Sequence, residues 1–137
     1  MKFRFLLTCT GIAASMMVAG SAAMVAQAQS LTLLNRFQAG QWEMRSRGEP
    51  VELQRICVRD ARRFIQMRHP GQNCTHTVIE DKMDEVTVQY TCRGSGYGRT
   101  HIRRESDGLW QIDSQGIAKG LPFTFDAEVR RLGDCSH

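Results

Sequence analysis

The segment "CTHTVIEDKMDEVTVQYTC", Cys74 to Cys92, decides how this chain folds. Two strand-like runs flank a polar middle, and a cysteine stands at each end. A turn centred on Met83 sets Val78 opposite Val88, His76 opposite Tyr90 and Cys74 opposite Cys92. Directly opposed residues of an antiparallel pair lie at a separation that a disulfide spans. The segment therefore reads as a hairpin closed by a Cys74–Cys92 bridge.

The other cysteines follow from the compartment. The start, "MKFRFLLTCTGIAASMMVAGSAAMVAQAQS", has a short basic head, a long apolar run and small residues at Ala26 and Ala28. That is the form of a secretory signal peptide cleaved after Ala28. The run is rich in Ala, Gly, Ser and Thr, unlike a retained membrane anchor. Residues 1–28 should leave, Cys9 with them, and the protein should be periplasmic or secreted with no stable transmembrane anchor. Cys57, Cys74, Cys92 and Cys135 remain, an even number suited to two disulfides in an oxidising compartment. With Cys74 and Cys92 paired, Cys57–Cys135 follows by elimination. Losing Lys2 and Arg4 from 18 basic residues, against 14 acidic ones, brings the formal charge from +4 down to +2. A mild excess spread along the chain is not the footprint of a nucleic-acid binder. Residues 29–137 are the right length for one disulfide-stapled domain.

Most of that domain reads as strand. "QSLTLLNRFQ" gives no clear period and suits a loose arm or a short helical turn. "GQWEMRSRG" alternates, with Trp42 and Met44 on one face. "PVELQRICV" is strand-like with an alternation that breaks midway, which predicts a bulge. "DARRFIQMRHP" reads as a helix of about nine residues: Asp60 caps it, Ala61, Phe64 and Ile65 share a face, and Pro70 ends it. "RTHIRRESDGLWQIDSQG" reads as a second hairpin about a Ser106-Asp107-Gly108 loop with Gly108 left-handed. Ile102 then faces Ile112, Arg104 faces Trp110 and His101 faces Asp113. "LPFTFDAEV" sets Leu121, Phe123, Phe125, Ala127 and Val129 on one face, the mark of an antiparallel sheet with one buried side. The expected fold is mainly β (α+β): a single strongly curved antiparallel sheet of about six or seven strands, a partial barrel in the limit, with one short helix.

"AGQWEMRSR", "ICVRDARRF", the isolated Cys74, "VQYTCRGSG" and the ending "RRLGDC" together resemble a family of small exported proteins of Gram-negative bacteria, domain of unknown function 3617. The likeness spans nearly all of the chain after the signal. It implies an exported, β-rich protein, and brings no activity and no catalytic residues.

Chemical motifs are sparse. The loop in "YTCRGSGYGRT" has glycines between Arg93 and Arg99, but it leads into another strand. A phosphate cradle leads into a helix. It reads as a hairpin connection whose glycines take positive φ beside the Cys74–Cys92 bridge. His69, His76, His101 and His137 form no short metal-ligand pair, and no haem or redox cysteine motif is present; neither metal nor other cofactor is expected. His101 opposite Asp113 reads as a surface charge pair before it reads as a base with its orienting acid. Arg99, His101 and Arg103 line an outer face.

The inner face gathers Trp42, Met44, Val78, Val86, Val88, Tyr90, Ile102, Trp110, Ile112, Leu121, Phe123, Phe125 and Val129. One helix of about 14 Å cannot cover a sheet about 30 Å wide. Either the sheet curls on itself around a filled core or part of this face stays open as a groove. Candidate ligand contacts are Trp42, Tyr90, Arg104, Trp110, Phe123 and Phe125. The favoured reading is a non-enzymatic exported binding module for an apolar or anionic ligand, such as a lipid, or for a hydrophobic partner segment. An inhibitor or stress-protection factor acting on an exported enzyme is the alternative, and a hydrolase comes last.

The signal-peptide reading makes a direct prediction: intact-mass analysis of the exported protein finds a chain that begins at Gln29. A product that retains residues 1–28 in the membrane fraction refutes it.

Overall fold

In the computed structural model, residues 30–48 and 50–136 are described, and the predicted signal peptide lies outside them. A four-residue helical turn, α1 (Thr32–Asn35), precedes seven strands: β1 (Gly40–Ser46), β2 (Leu53–Val58), β3 (Cys74–Asp81), β4 (Glu85–Cys92), β5 (Gly96–Ser106), β6 (Leu109–Ala118) and β7 (Leu121–Gly133). The hairpin that opened the sequence reading is β3–β4. Val78 faces Val88, His76 faces Tyr90 and Cys74 faces Cys92, and Cys74–Cys92 and Cys57–Cys135 are both disulfides. A one-residue shift between Val78 and Glu80 appears only near the tip.

All neighbouring pairs are antiparallel, in the order β2-β1-β7-β6-β5-β4-β3. The sheet is curled but not closed, since β2 and β3 are its two edges. Alternation along each strand sends one set of side chains to the concave face. Trp42, Met44, Val86, Val88, Tyr90, Ile102, Trp110, Ile112 and Val129 are all buried there, as the period-two reading requires. Val78 and Phe125 pack against this core while partly exposed. Leu121 does not join it; the residue is 70% exposed at the rim, beyond the reach of what fills the concavity.

Two short segments do the filling. The first is the arm before β1. Asp81, at the end of β3, accepts hydrogen bonds from the Thr32 amide and the Ser30 hydroxyl, both at 2.9 Å. This fixes α1 so that Leu33 and Leu34 are buried. Phe37 then stacks on Trp42 at 4.7 Å and meets Phe64 and Trp110 edge-on. The second is the stretch between β2 and β3, which runs along the concave face as a plug and buries Ala61, Phe64, Ile65 and His69.

Three local expectations change. The plug is not a nine-residue helix but a 3-10 turn, Ala61–Phe64, followed by further turns, although Asp60 does cap it by accepting from the Arg62 amide. An α-helix would bond the His69 amide to the Ile65 carbonyl. That carbonyl instead accepts from the Thr100 hydroxyl of β5 at 2.5 Å, and the His69 amide turns to Gln66 at 2.9 Å. Strand β2 has no bulge against β1; the irregularity falls where β1 meets β7, between Gln41 and Trp42. The β5–β6 loop is two residues, Asp107–Gly108, with Ser106 opposite Leu109. Gly108 is not left-handed. The register shift between Arg104 and Ser106 leaves Glu105 as the extra residue, and such a bulge absorbs the twist that a turn of negative φ does not match.

The staples are testable. Non-reducing peptide mapping should recover Cys57 with Cys135 and Cys74 with Cys92. Replacing Cys74 and Cys92 together by Ala should lower stability in urea unfolding by about 2–5 kcal/mol.

Candidate functional site

The plug is fastened to the sheet by polar side chains rather than by apolar contact alone. His69 is buried, with Nδ1 3.1 Å from the Tyr90 hydroxyl and Nε2 3.1 Å from the Ser95 carbonyl. The carbonyl can only accept, so Nε2 carries the hydrogen and Nδ1 of the neutral ring accepts from Tyr90. Gln66 donates through Nε2 to the carbonyls of His69 and Gln72, and its Oε1 accepts from His76 Nε2 on β3 at 2.9 Å. Burial lowers the His76 pKa and raises that of the Tyr90 phenol. Thr100, besides holding the plug at Ile65, shares a 2.8 Å hydrogen bond with Ser114.

Glycines make room for this latch. Tyr90, Gly98, Gly116 and Phe123 lie opposite one another across four strands. A β-carbon on Gly98 would fall 2.4 Å from the Tyr90 hydroxyl oxygen, so the phenol ring lies over bare backbone. The three-residue turn Arg93–Ser95, with Gly94 at φ 77°, brings the Ser95 carbonyl to His69. The glycine-rich loop is thus a hairpin connection with a structural partner in the plug.

Beyond His69 the plug no longer covers the concave face. A cleft of about 740 Å³ opens between Met67–Gln72 and the tips of β6 and β7, lined by Arg68, His69, Ser95, Ala118, Lys119, Leu121, Pro122 and Phe123. The Arg68 guanidinium carbon stands 5.7 Å from the centre of the Phe123 ring. Neither Arg68 nor Lys119 forms an ion pair among the described residues. On the other side of the plug a depression of about 520 Å³ lies against β2, lined by Gln54, Ile56, Arg62, Arg63 and Met67 among others. Its Arg62 is engaged by Asp60 and Asn35.

The six residues singled out from sequence do not lie together. Trp42 and Trp110 are inside the filled core, 6.3 Å apart between ring centres, and Trp42 Nε1 donates to the Gln38 carbonyl. Tyr90 is buried in the latch, and Phe125 packs half-buried against the core. Arg104 is opposite Trp110 in register, but its guanidinium is at the far end of the sheet, held at 2.7 Å by both Asp84 and Asp107. Only Phe123 lines the cleft. Its companions there are Leu121, two residues away on the same strand, Lys119 in the turn before it, and Arg68, which comes from the plug.

His101 and Asp113 are opposed in register without meeting. His101 Nδ1 is 3.0 Å from the Thr87 hydroxyl, and Asp113 accepts from Arg47 at 2.9 Å. One His–carboxylate group not visible in the sequence does form: ligand atoms of Glu80, Glu85 and His101 lie within 4.8 Å of one another. The Lys82 ammonium sits between the two carboxylates at 2.6 Å from each, which raises its own pKa and lowers that of Glu85. An internal cation occupies the place of an external one.

A family model described as "Protein of unknown function (DUF3617)" matches residues 37–135. No curated protein and no solved structure matches the chain. No helix among the described residues is long and apolar enough to cross a membrane.

The latch predicts a pH signature. Tyr90→Phe leaves His69 Nδ1 without its donor and should cost about 1–3 kcal/mol at pH 7. The folded state holds the Tyr90 proton more tightly than the unfolded chain. The wild type therefore loses stability as pH rises past the ordinary tyrosine value of about 10. Urea unfolding followed from pH 7 to about pH 11 should show a shallower alkaline fall in the variant.

Proposed function

The chain belongs to the DUF3617 family of proteins of unknown function, and from that premise we propose that it is an exported binding module. Its ligand is an amphiphilic anion, an apolar chain or ring system with a negatively charged head, received in the cleft between the plug and the β6–β7 hairpin. The protein works by holding this ligand and not by transforming it.

One observation carries the reading: an apolar wall and two uncompensated cations share one concavity. Leu121 and Phe123 offer apolar surface left over from the concave face, while Arg68 and Lys119 stand at its mouth without carboxylate partners among the described residues. A volume of about 740 Å³ is within the range of small-molecule sites. An apolar tail gains by leaving water against Leu121 and Phe123, and an anionic head gains from Arg68 and Lys119 where no acid competes. The two disulfides agree with an oxidising compartment. Binding without catalysis is favoured by His101 and Asp113, which do not meet as a base with its orienting acid: His101 Nδ1 bonds Thr87 and Asp113 Oδ1 bonds Arg47.

Titration of the oxidised protein with a fluorescent fatty acid below its micelle concentration should show saturable binding. Native mass spectrometry should find the same adduct at one copy per chain. Phe123→Ser should weaken binding about tenfold or more, since the burial of most of a large apolar side chain is lost. Lys119→Glu, a surface change, should weaken it without altering the unfolding midpoint. Absence of saturable binding by the folded wild type defeats the reading.

A further inference from the structure

Antiparallel connection sorts the hairpin tips of this sheet to two ends. The β3–β4 and β5–β6 turns lie at one end, and the β4–β5 and β6–β7 turns lie at the other. The two ends differ in charge. At the first, Glu80, Asp84, Glu85, Glu105 and Asp107 are each ion-paired with Lys82, Arg36, Arg103 or Arg104. The second is built around the β4–β5 and β6–β7 turns from residues 66–76, 89–100 and 115–124, and none of these stretches contains an Asp or a Glu; the β1–β2 turn points the same way, but its Glu52 bonds Ser46 and stops level with Ala127, short of the tip. Arg68, Arg93, Arg99 and Lys119 are exposed there, and none has an ion-pair partner among the described residues.

The same end carries apolar surface on both faces of the sheet. Tyr97, Ile117 and Pro122 are cross-strand neighbours on the outer face, with Tyr97 51% exposed. Leu121 and Phe123 are on the inner face, and Leu121 is the most exposed large apolar residue described. Apolar side chains thus lie on both faces of the β6–β7 tip, at the end of the sheet that carries these cations.

We propose that this end of the molecule seats on an anionic phospholipid bilayer, with Tyr97, Leu121 and Pro122 entering the headgroup boundary and Arg68, Arg93, Arg99 and Lys119 meeting lipid phosphates. The partner follows from charge complementarity. A neutral apolar partner gives no use for four uncompensated cations, and a soluble anion gives none for exposed Tyr97 and Leu121. Apolar insertion plus attraction to anionic lipid is the combination that holds peripheral proteins at bilayers, and each basic side chain near such a surface adds about 1 kcal/mol. The cleft opens at this same end, so a bound protein presents it to the lipid. The docking stands independently of what enters the cleft.

The test is co-sedimentation of the oxidised protein beginning at Gln29, so that the apolar residues 1–28 do not themselves carry it to lipid. Vesicles of phosphatidylcholine with about one third phosphatidylglycerol are compared with vesicles of phosphatidylcholine alone. Binding is expected to the anionic vesicles, weakening as salt rises. Arg93→Glu with Lys119→Glu should lower the partition coefficient about tenfold or more. Arg103→Glu with Arg130→Glu makes the same change in net charge away from this end and should stay within about twofold of wild type by the same charge-proximity argument. Tyr97→Ser lies outside the cleft. It should weaken vesicle binding while leaving the fatty-acid titration unchanged, which separates this proposal from the cleft reading. Equal loss in the two double variants, equal binding to both kinds of vesicle, or no binding to either overturns the proposal.

Discussion

An antiparallel sheet with one apolar face and two unjoined edges has to cover that face with something, and in this protein two short segments do it. Neither could be stable alone. α1 is four residues long and the plug holds a single 3-10 turn, far below the length at which an isolated helix persists. Both owe their shape to the sheet that they cover. Asp81 on β3 pins the arm through Ser30 and Thr32, and Thr100 on β5 takes the carbonyl that would have propagated a helix in the plug. In return Phe37 and Phe64 complete an aromatic cluster with Trp42 and Trp110. The Cys57–Cys135 bridge joins β2, the strand that feeds the plug, to the chain that follows β7.

The row Tyr90, Gly98, Gly116 and Phe123 shows how a gap in the sheet's side-chain layer becomes useful. Two adjacent glycines would ordinarily weaken their strands. Here Gly116 has no room for a β-carbon against the Tyr97 carbonyl, while Gly98 lets the Tyr90 ring lie against backbone, which delivers its hydroxyl to His69. The plug ends its coverage at that contact. Phe123, next in the row, is left half-buried, and Leu121 beyond it is exposed. The cleft is therefore the direct remainder of the latch.

Charge follows topology in the same way. Acids and bases intermix along the chain, with a formal excess too small to suggest a surface of one sign. Folding as a meander of hairpins places the acid-containing β3–β4 and β5–β6 tips at one end and the acid-free β4–β5 and β6–β7 tips at the other. At the acidic tips the carboxylates are matched by Lys82, Arg103 and Arg104. At the other tips the cations have apolar neighbours instead. A chain with a small formal excess of positive charge thereby acquires a polar axis.

The sequence by itself determined the sheet. Period-two alternation in "LPFTFDAEV" and in the Cys74–Cys92 stretch identifies the buried face, and the mirror placement of the two cysteines sets their register. Those signals are local and each strand carries its own copy. The Ile102–Ile112 and Arg104–Trp110 pairings were legible on the same ground. What the tertiary structure decided is everything that depends on partners distant in sequence. "DARRFIQMRHP" has a helical spacing, yet a hydroxyl 35 residues away breaks the helix. "QSLTLLNRFQ" shows no period because Leu33, Leu34 and Phe37 serve a concave wall, not a regular face. The cleft was the least legible part. Phe123 and Leu121 could be placed on one face from alternation, but Arg68 is joined to them only by where the plug stops, and Arg104 is drawn away by Asp84 and Asp107. Alternation gives the face of a residue. How far a covering segment reaches along that face is set by side-chain contacts between elements, and no single stretch of the chain encodes those.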